Sequence, residues 1–399
     1  MIVVFCPFAA GYYLSYFYRY VNAVIARDLV ADFGLAPSDL GLLTSAYFLS
    51  FAAAQLPLGV ALDRFGPRRC TAALFCVAGA GALLFGLARD LTMLSIGRAL
   101  IGLGVSAGLM GSIKAFTLWF PRERLTALSG WMIGIGSVGT LSATAPVEAL
   151  LGPFGWRSLF LSLGALSVVA AMLIFFVVPE RPLPGQGDPW REQIAVIGRI
   201  FRRIDFWRLA LPLVICQATF QALQGLWFAP WLADVHGLDR TATADHLLFS
   251  AAAYMAASFA LGPLAEYLGK RGYSPLRIYQ TGMLACTATF IPLAFGAHGL
   301  ALIFLVLFAG TSIAAIIAYT LLTQLVPAAQ TGRVTTASNL LLFGTSFAIQ
   351  WGVGAILGQW PGAQGRYDPE AYRFAFGLLL AAQAAAAAWL LSAPGGARR

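Results

Sequence analysis

The sequence predicts an all-α membrane protein of twelve transmembrane helices, built as two pseudo-symmetric six-helix bundles. Three observations lead there. The chain is 59% hydrophobic and only 11% charged over 399 residues, whereas a soluble domain is about half apolar and about a quarter charged. Such a chain has too few polar side chains to coat a water-facing surface, so its outer coat is lipid. Apolar runs of membrane-spanning length follow one another along the chain. Finally, a short polar loop of the first half returns in the second at a constant offset of 203 residues.

Taken in order, the apolar runs between charged or Pro/Gly-rich breaks fall at 3–26, 41–62, 70–88, 91–119, 125–151 and 158–178, then at 208–233, 246–267, 276–297, 299–326, 334–357 and 371–392. Each run is continuous, where barrel strands would alternate over about ten residues, so the runs are helices. The first has no basic stretch before it and is too long for the apolar core of a signal peptide, which makes it a span. The domains expected are residues 1–178, a linker at 179–206 and residues 207–399. The linker carries Pro179, Pro182, Pro184, Gly185, Gly187 and Pro189. Its second part, Trp190 to Ile204, spaces apolar residues and Arg helically, as either a helix on the membrane surface or a solvated basic connection.

An even span count puts both termini on one side. Loops on that side hold seventeen Lys and Arg, including Arg64, Arg68, Arg69, Arg124, Arg181, Arg203, Lys270, Arg271, Arg333, Arg398 and Arg399. The opposite loops and span ends hold only Arg27, Arg89, Arg157, Arg240, Arg366 and Arg373. The positive-inside rule therefore places both termini in the cytoplasm, with the chain in the cytoplasmic (inner) membrane. The net charge of +9 is strung between apolar runs without clustered aromatics, which speaks against nucleic acid. Cys6, Cys70, Cys76, Cys216 and Cys286 lie singly in apolar runs and read as small core hydrophobes, neither disulfides nor metal ligands. His236, His246 and His298 form no ligand pair, so no metal and no cofactor are expected.

The loop after the second run reads Gly59-Val-Ala-Leu-Asp63-Arg64-Phe-Gly66-Pro67-Arg68-Arg69, and the loop after the eighth reads Gly262-Pro-Leu-Ala-Glu266-Tyr-Leu-Gly269-Lys270-Arg271. The recurrence implies a parallel repeat with a pseudo-two-fold along the membrane normal. The first loop closely resembles the cytoplasmic signature of the major facilitator superfamily, and the second is its usual weaker copy. The resemblance implies that fold, and a latch between the halves in the outward-facing state made of Gly59, Asp63, Arg64, Gly66, Arg68, Gly262, Glu266, Gly269 and Lys270. Here Asp63 is expected to accept from backbone donors at a neighbouring helix N-terminus, and the Arg residues to anchor to lipid or acidic partners. Arg98-Ala-Leu-Ile-Gly102-Leu-Gly104 in span four is similar to a second superfamily motif, whose Arg is associated with coupling or structural support. Span five has Gly130, Gly134, Gly136 and Gly139, which favour tight packing, but lacks the Gly-Pro pair of the family's antiporter signature.

In span one, Tyr12, Ser15, Tyr16, Arg19 and Asn22 share one helical stripe. In span seven, Gln217, Gln221 and Gln224 do the same, with Trp227 and Trp231 following, and the offset places Gln221 beside Arg19. These stripes read either as a cavity wall in which Arg19 meets an anionic cargo group or as helix-packing devices. Lys114, near the cytoplasmic end of span four, is expected either to join the cavity or, the reading slightly preferred, to snorkel to the interface beside Trp119, Arg122 and Arg124. All seventeen acids fall at loops or span ends, Asp28 and Glu148 nearest the membrane, so no carboxylate sits mid-span to carry a proton. Tyr12, Tyr16, Arg19, Asn22, Arg98, Gln217, Gln221, Gln224 and Trp227 are the candidate substrate contacts. The function expected is secondary active transport, by alternating access, of a small anionic organic solute, the co-transported proton remaining open. Efflux of amphipathic compounds and a transport-inactive sensor of the same fold are the alternatives. An enzyme is not expected, for the loops hold no P-loop, zinc-ligand or nucleophile-elbow spacing. Partners beyond the solute are membrane lipid, and the chain is expected to be a monomer.

Overall fold

The computed structural model describes residues 2–181, 190–296, 299–327, 330–360, 362 and 366–392. Pro182, Pro184, Gly185, Gly187 and Pro189 of the linker, His298, Arg398 and Arg399 lie outside them. The described chain is all-α, and eight of its helices are long and apolar enough to cross a membrane. The other crossings come from helices that are broken, shorter or folded back. Pro37–Gly86 is written through by one run of helical turns but reverses at Gly66 (φ 80°, ψ 159°), a conformation that excludes side chains. The Cys70 thiol donates to the Ala61 carbonyl at 3.1 Å, whereas nine residues of straight helix would separate them by about 13 Å. Spans two and three are thus the arms of a helical hairpin. A second Phe-Gly does the same work at Gly155 (φ 70°, ψ 162°) inside Ala145–Val177. Residues 145–154 continue span five, Arg122–Ser142, and residues 156–177 form span six. Pro275–Ala294 supplies span nine. With Ile2–Phe33 as span one, these segments accommodate twelve crossings.

The first and fourth helices of each half are interrupted near their middles. Span one breaks at Val21, between Ile2–Tyr20 and Asn22–Phe33. Span four, Leu91–Trp119, breaks at Ser106. Span seven, Ile204–His236, carries a π-turn at Leu223–Trp227, and span ten, Ala301–Gln324, a 3₁₀ turn at Ile313–Ile316. The 203-residue offset maps Val21 onto Gln224, so the breaks in spans one and seven occupy equivalent places. They also touch: a Cβ on Gly225 would lie 3.4 Å from the Arg19 carbonyl. Spans eight (Arg240–Lys270), eleven (Thr331–Leu357) and twelve (Pro369–Leu391) run unbroken.

The linker's second part is the helix Trp190–Phe201, and its Val196, Ile197 and Ile200 are buried. They pack toward span eleven, while Arg203 in the next turn donates to the Leu325 carbonyl at 2.6 Å. Part of the apolar face of this helix is therefore spent on protein, which replaces the free solvated connection, while Ile194 stays exposed. The cysteines divide differently from expectation too. Cys70, Cys216 and Cys286 are buried, but Cys6 and Cys76 are exposed on the surface of an apolar bundle, where a thiol behaves as any small hydrophobe facing lipid.

Candidate functional site

The two halves meet along a seam whose described contacts lie in its middle and toward the face opposite the termini. On that far face Arg240, at the start of span eight, donates to both oxygens of Asp28 in span one at 2.8 and 2.7 Å. Its Nε lies 2.7 Å from Glu148 Oε1 of the span-five extension. One guanidinium of the second half thereby holds the two membrane-proximal acids of the first. Below it, Gly354 of span eleven seats against the Pro37 carbonyl so tightly that a Cβ would come within 2.4 Å of that oxygen. A cavity of about 580 Å³ opens between the halves on this side, with Arg27, Glu148, Asp234, Arg240, Thr243 and Tyr367 in its wall.

At the middle of the seam stands Arg19. It is 7% exposed, and its guanidinium lies over the rings of Tyr16 (4.6 Å), Phe51 (5.4 Å) and Phe343 (5.1 Å). Phe343 belongs to span eleven, so the cage is closed by both halves. The cation faces π-clouds, which attract it electrostatically, yet its Nε is buried without a hydrogen-bond partner. No carboxylate among the described residues pairs with it. Asn22 donates to Thr44 Oγ1 at 3.2 Å and leaves its own carbonyl oxygen unsatisfied. Gln221 Oε1, across the seam in span seven, is orphaned in the same way. Buried polar atoms without partners are rare in native folds, and each calls for an occupant or a role. Here three of them fall on the two stripes that flank the broken helices.

Tyr12 donates to Tyr16 at 3.3 Å, and both rings press against span five at Gly136, where a Cβ would meet Tyr12 at 2.8 Å. Gly139 seats against the Tyr13 carbonyl, so Gly136 and Gly139 pack span one closely, whereas a Cβ on Gly134 would meet Phe259 of span eight at 2.8 Å and one on Gly130 would meet open space. Gln217 donates to the Ser312 carbonyl at 3.1 Å. Gln224 donates to the Leu247 carbonyl at 3.0 Å and accepts from Ser250 at 2.9 Å, while Trp227 donates to the Gln350 carbonyl at 2.8 Å. In this conformation Gln224 and Trp227 are engaged within the second half, tying span seven to spans eight and eleven. Arg98 is fully buried and turned to the Tyr18 carbonyl at 3.0 Å, with the Tyr47 ring 5.1 Å from its guanidinium. The structure thus separates Arg98, enclosed in the first half, from Arg19 on the seam. The glycines of its motif are packing positions: a Cβ on Gly102 would lie 2.2 Å from the Tyr47 carbonyl and one on Gly104 2.3 Å from the Ala78 nitrogen.

Sequence reasoning missed several groups around Arg19. Phe51, Tyr47 and Phe343 carry no charge, and nothing along their own spans distinguishes them from core. Tyr254 stacks on Phe220 with centroids 4.7 Å apart and donates weakly to Gln217 Oε1. The repeat could have found it, since the offset that pairs the two loops pairs Phe51 with Tyr254. Tyr319 donates to Asn339 Oδ1 at 2.6 Å, linking spans ten and eleven.

The residues expected to form a latch make no described polar contact with the opposite half. Lys114 Nζ lies 2.7 Å from Asp63 Oδ1, both partly buried, so this lysine does not snorkel. An ammonium that finds a carboxylate within its half gains more than it would from the interface, and the carboxylate takes it in place of the backbone donors expected. Arg68 donates to the Phe175 carbonyl at 2.6 Å and lies 3.6 Å from Glu180, which also holds Arg69 at 2.6 Å. Arg64 covers the Phe65 ring at 5.3 Å. In the weaker copy Glu266 pairs with Lys270 at 2.7 Å, and a Cβ at Gly262 or Gly269 would meet open space.

A helical protein of two seam-joined bundles, with broken helices meeting at the seam, has the architecture of a membrane carrier. The family model of the Major Facilitator Superfamily matches residues 8–350, and the chain belongs to that family. It is 28% identical over 298 residues to the probable sulfoacetate transporter of Cupriavidus necator, covering 68% of this chain and 64% of that protein. It is 26% identical over 252 residues to the hexuronate transporter of Escherichia coli, covering 57% and 56%. The matched region thus spans less than two thirds of these relatives' lengths. Among solved structures, a bacterial homolog of the lysosomal transporter Spinster in an inward-facing, unoccupied conformation superposes with a TM-score of 0.76 at 19% identity over 97% of this chain and 95% of that one. The D-xylose-proton symporter superposes with a TM-score of 0.77 at 16% identity over 98% and 97%.

Proposed function

We propose that this chain is a secondary transporter that moves a small anionic organic solute across the cytoplasmic membrane by rocking its two halves about the seam. The single observation that carries the reading is Arg19: a cation buried at mid-seam, partly unsatisfied and without a carboxylate partner. An isolated charge in a low-dielectric interior is costly, and an anionic cargo group is the partner that relieves the cost while satisfying the guanidinium's donors. Arg98 adds positive charge nearby, and among the described residues no acid pairs with Arg19 at mid-seam, the seam acids Asp28 and Glu148 being held by Arg240 on the far face, which disfavours a cationic cargo. The names of the relatives, sulfoacetate and hexuronate, point to the same chemical class. Arg240 ties the halves together on the far face through Asp28 and Glu148, and with both termini read as cytoplasmic such a tie belongs to the inward-facing stage of the cycle.

The test is counterflow in proteoliposomes against a panel of sulfonates, hexuronates, other carboxylates, nitrate and organic cations, with and without a pH gradient. Uptake of at least one anion, competed by others of its class, is the expected result. Uptake confined to organic cations, or none across the panel by correctly oriented protein, overturns the proposal.

A further inference from the structure

The second half holds a separate cluster of soft ligands away from the seam. Cys216 in span seven and Cys286 in span nine are 70 residues apart in sequence, yet their sulfurs lie 3.0 Å from each other and both are buried. Beside them is a void of about 10 Å³ lined also by Pro212, Met283, Thr287 and Gln383. That volume admits one water molecule or one ion and nothing larger. Gln383, from span twelve, is 4% exposed, and both its amide nitrogen and its amide oxygen are buried without a partner. A one-atom void bounded by two thiols, a thioether and an orphaned amide offers sulfur where hard cations require oxygen. Such a donor set selects a soft d¹⁰ ion.

We infer that Cys216, Cys286 and Met283 bind a single soft monovalent cation, Cu(I) or its analogue Ag(I), with Gln383 at the edge of the site. One thiol gives up its proton to solvent as the metal–thiolate bond forms, and the second thiol and the thioether enter as neutral donors. The product carries no net charge, as a dry interior demands. A side-chain rotation opens the present sulfur contact so that the ion can enter between the two sulfurs, one bound as thiolate and the other as neutral thiol. The bound ion ties span seven to spans nine and twelve one residue from Gln217. The sequence hid the site because Cys216 lies on a different span from Met283 and Cys286, and a Met/Cys pair three residues apart in an apolar helix is no recognised ligand motif.

The test uses the full chain, reduced and oxygen-free in detergent micelles, titrated with Ag(I) and with Cu(I) against a chromogenic Cu(I) chelator. One ion per chain, release of about one proton per ion and a raised unfolding midpoint are expected. Cys216→Ala and Cys286→Ala should each abolish this binding. Met283→Leu should weaken it about ten- to a hundredfold, and joint replacement of Cys6, Cys70 and Cys76 by Ala should leave it intact. Size-exclusion profiles and metal-free unfolding midpoints establish that each variant is folded, and Met283→Leu, a volume-conserving change, keeps the test open should a cysteine variant fail. No binding by the parent chain, undiminished binding by either folded cysteine variant, or a Cys216–Cys286 disulfide that forms in the presence of Ag(I) would overturn the site. The first result would leave Gln383 facing a buried water.

Discussion

At the scale of single residues, Arg19 decides the reading. If it holds an anionic cargo group, Arg19→Lys keeps the charge but loses the planar fork, and Arg19→Gln loses both. Transport should fall in that order. A charge-assisted contact is worth roughly 1.5–3 kcal/mol, so apparent affinity in the Gln variant should drop about ten- to a hundredfold while the protein stays folded. A purely structural Arg19 would lower folded yield or the unfolding midpoint and leave the affinity of the surviving protein unchanged. Its depth and stripe were legible in the sequence, because helical spacing alone collects Tyr12, Tyr16 and Asn22 with it. The cage was not legible. Phe51 and Phe343 are brought to it by tertiary folding across the two halves, and an aromatic residue in an apolar span gives no local sign of what it covers. The same blindness explains Lys114: snorkelling is a property of one helix, whereas the 2.7 Å pair with Asp63 requires knowing that spans two and four are neighbours.

Among elements, the glycines state where helices touch. Gly102 meets the Tyr47 carbonyl with no room for a Cβ. Gly102→Ala should therefore cost about 1–3 kcal/mol of stability through overpacking, read as a lowered unfolding midpoint. Gly262→Ala, where a Cβ meets nothing, should leave it near the parent value. The two ends of the seam make opposed predictions about population. Arg240→Gln removes the bridge to Asp28 and Glu148 and should widen the distance distribution between spin labels across the far face. Asp28→Asn should act in the same direction, and the double variant should add little, because both changes remove one shared contact. Asp63→Asn leaves Lys114 without its carboxylate and, if the latch assembles when the opposite face opens, should shift the population further toward the far-face-closed state. Unchanged distances in the Asp63 variant would refute the latch role. The motif around Asp63 was read from the sequence by its spacing, but the bridging role of Arg240 was not, since a positive residue at a loop edge reads first as a topological signal.

Across the whole molecule, the parallel repeat organises both the fold and the seam. A single offset pairs the two loops, the breaks of spans one and seven, and Phe51 with Tyr254. Two copies of one six-helix plan related in this way can rock as bodies about the place where their broken helices cross. The direction of that movement relative to the cell depends on orientation, which rests on the asymmetry of Lys and Arg between the two sets of loops. Seventeen basic residues on the terminal side against six opposite is a bias that spans every connection, so no single loop decides it. A cysteine placed at Gln186 in a background lacking the native cysteines should be shielded from an impermeant thiol reagent in intact cells, and one at Gln364 should react. After the membrane is permeabilised both should label, which separates shielding by the bilayer from burial in protein. Labelling at Gln186 with protection at Gln364 in intact cells would invert the molecule. The face now bridged by Arg240 would then be cytoplasmic, and the bridge would belong to the outward-facing stage of the cycle.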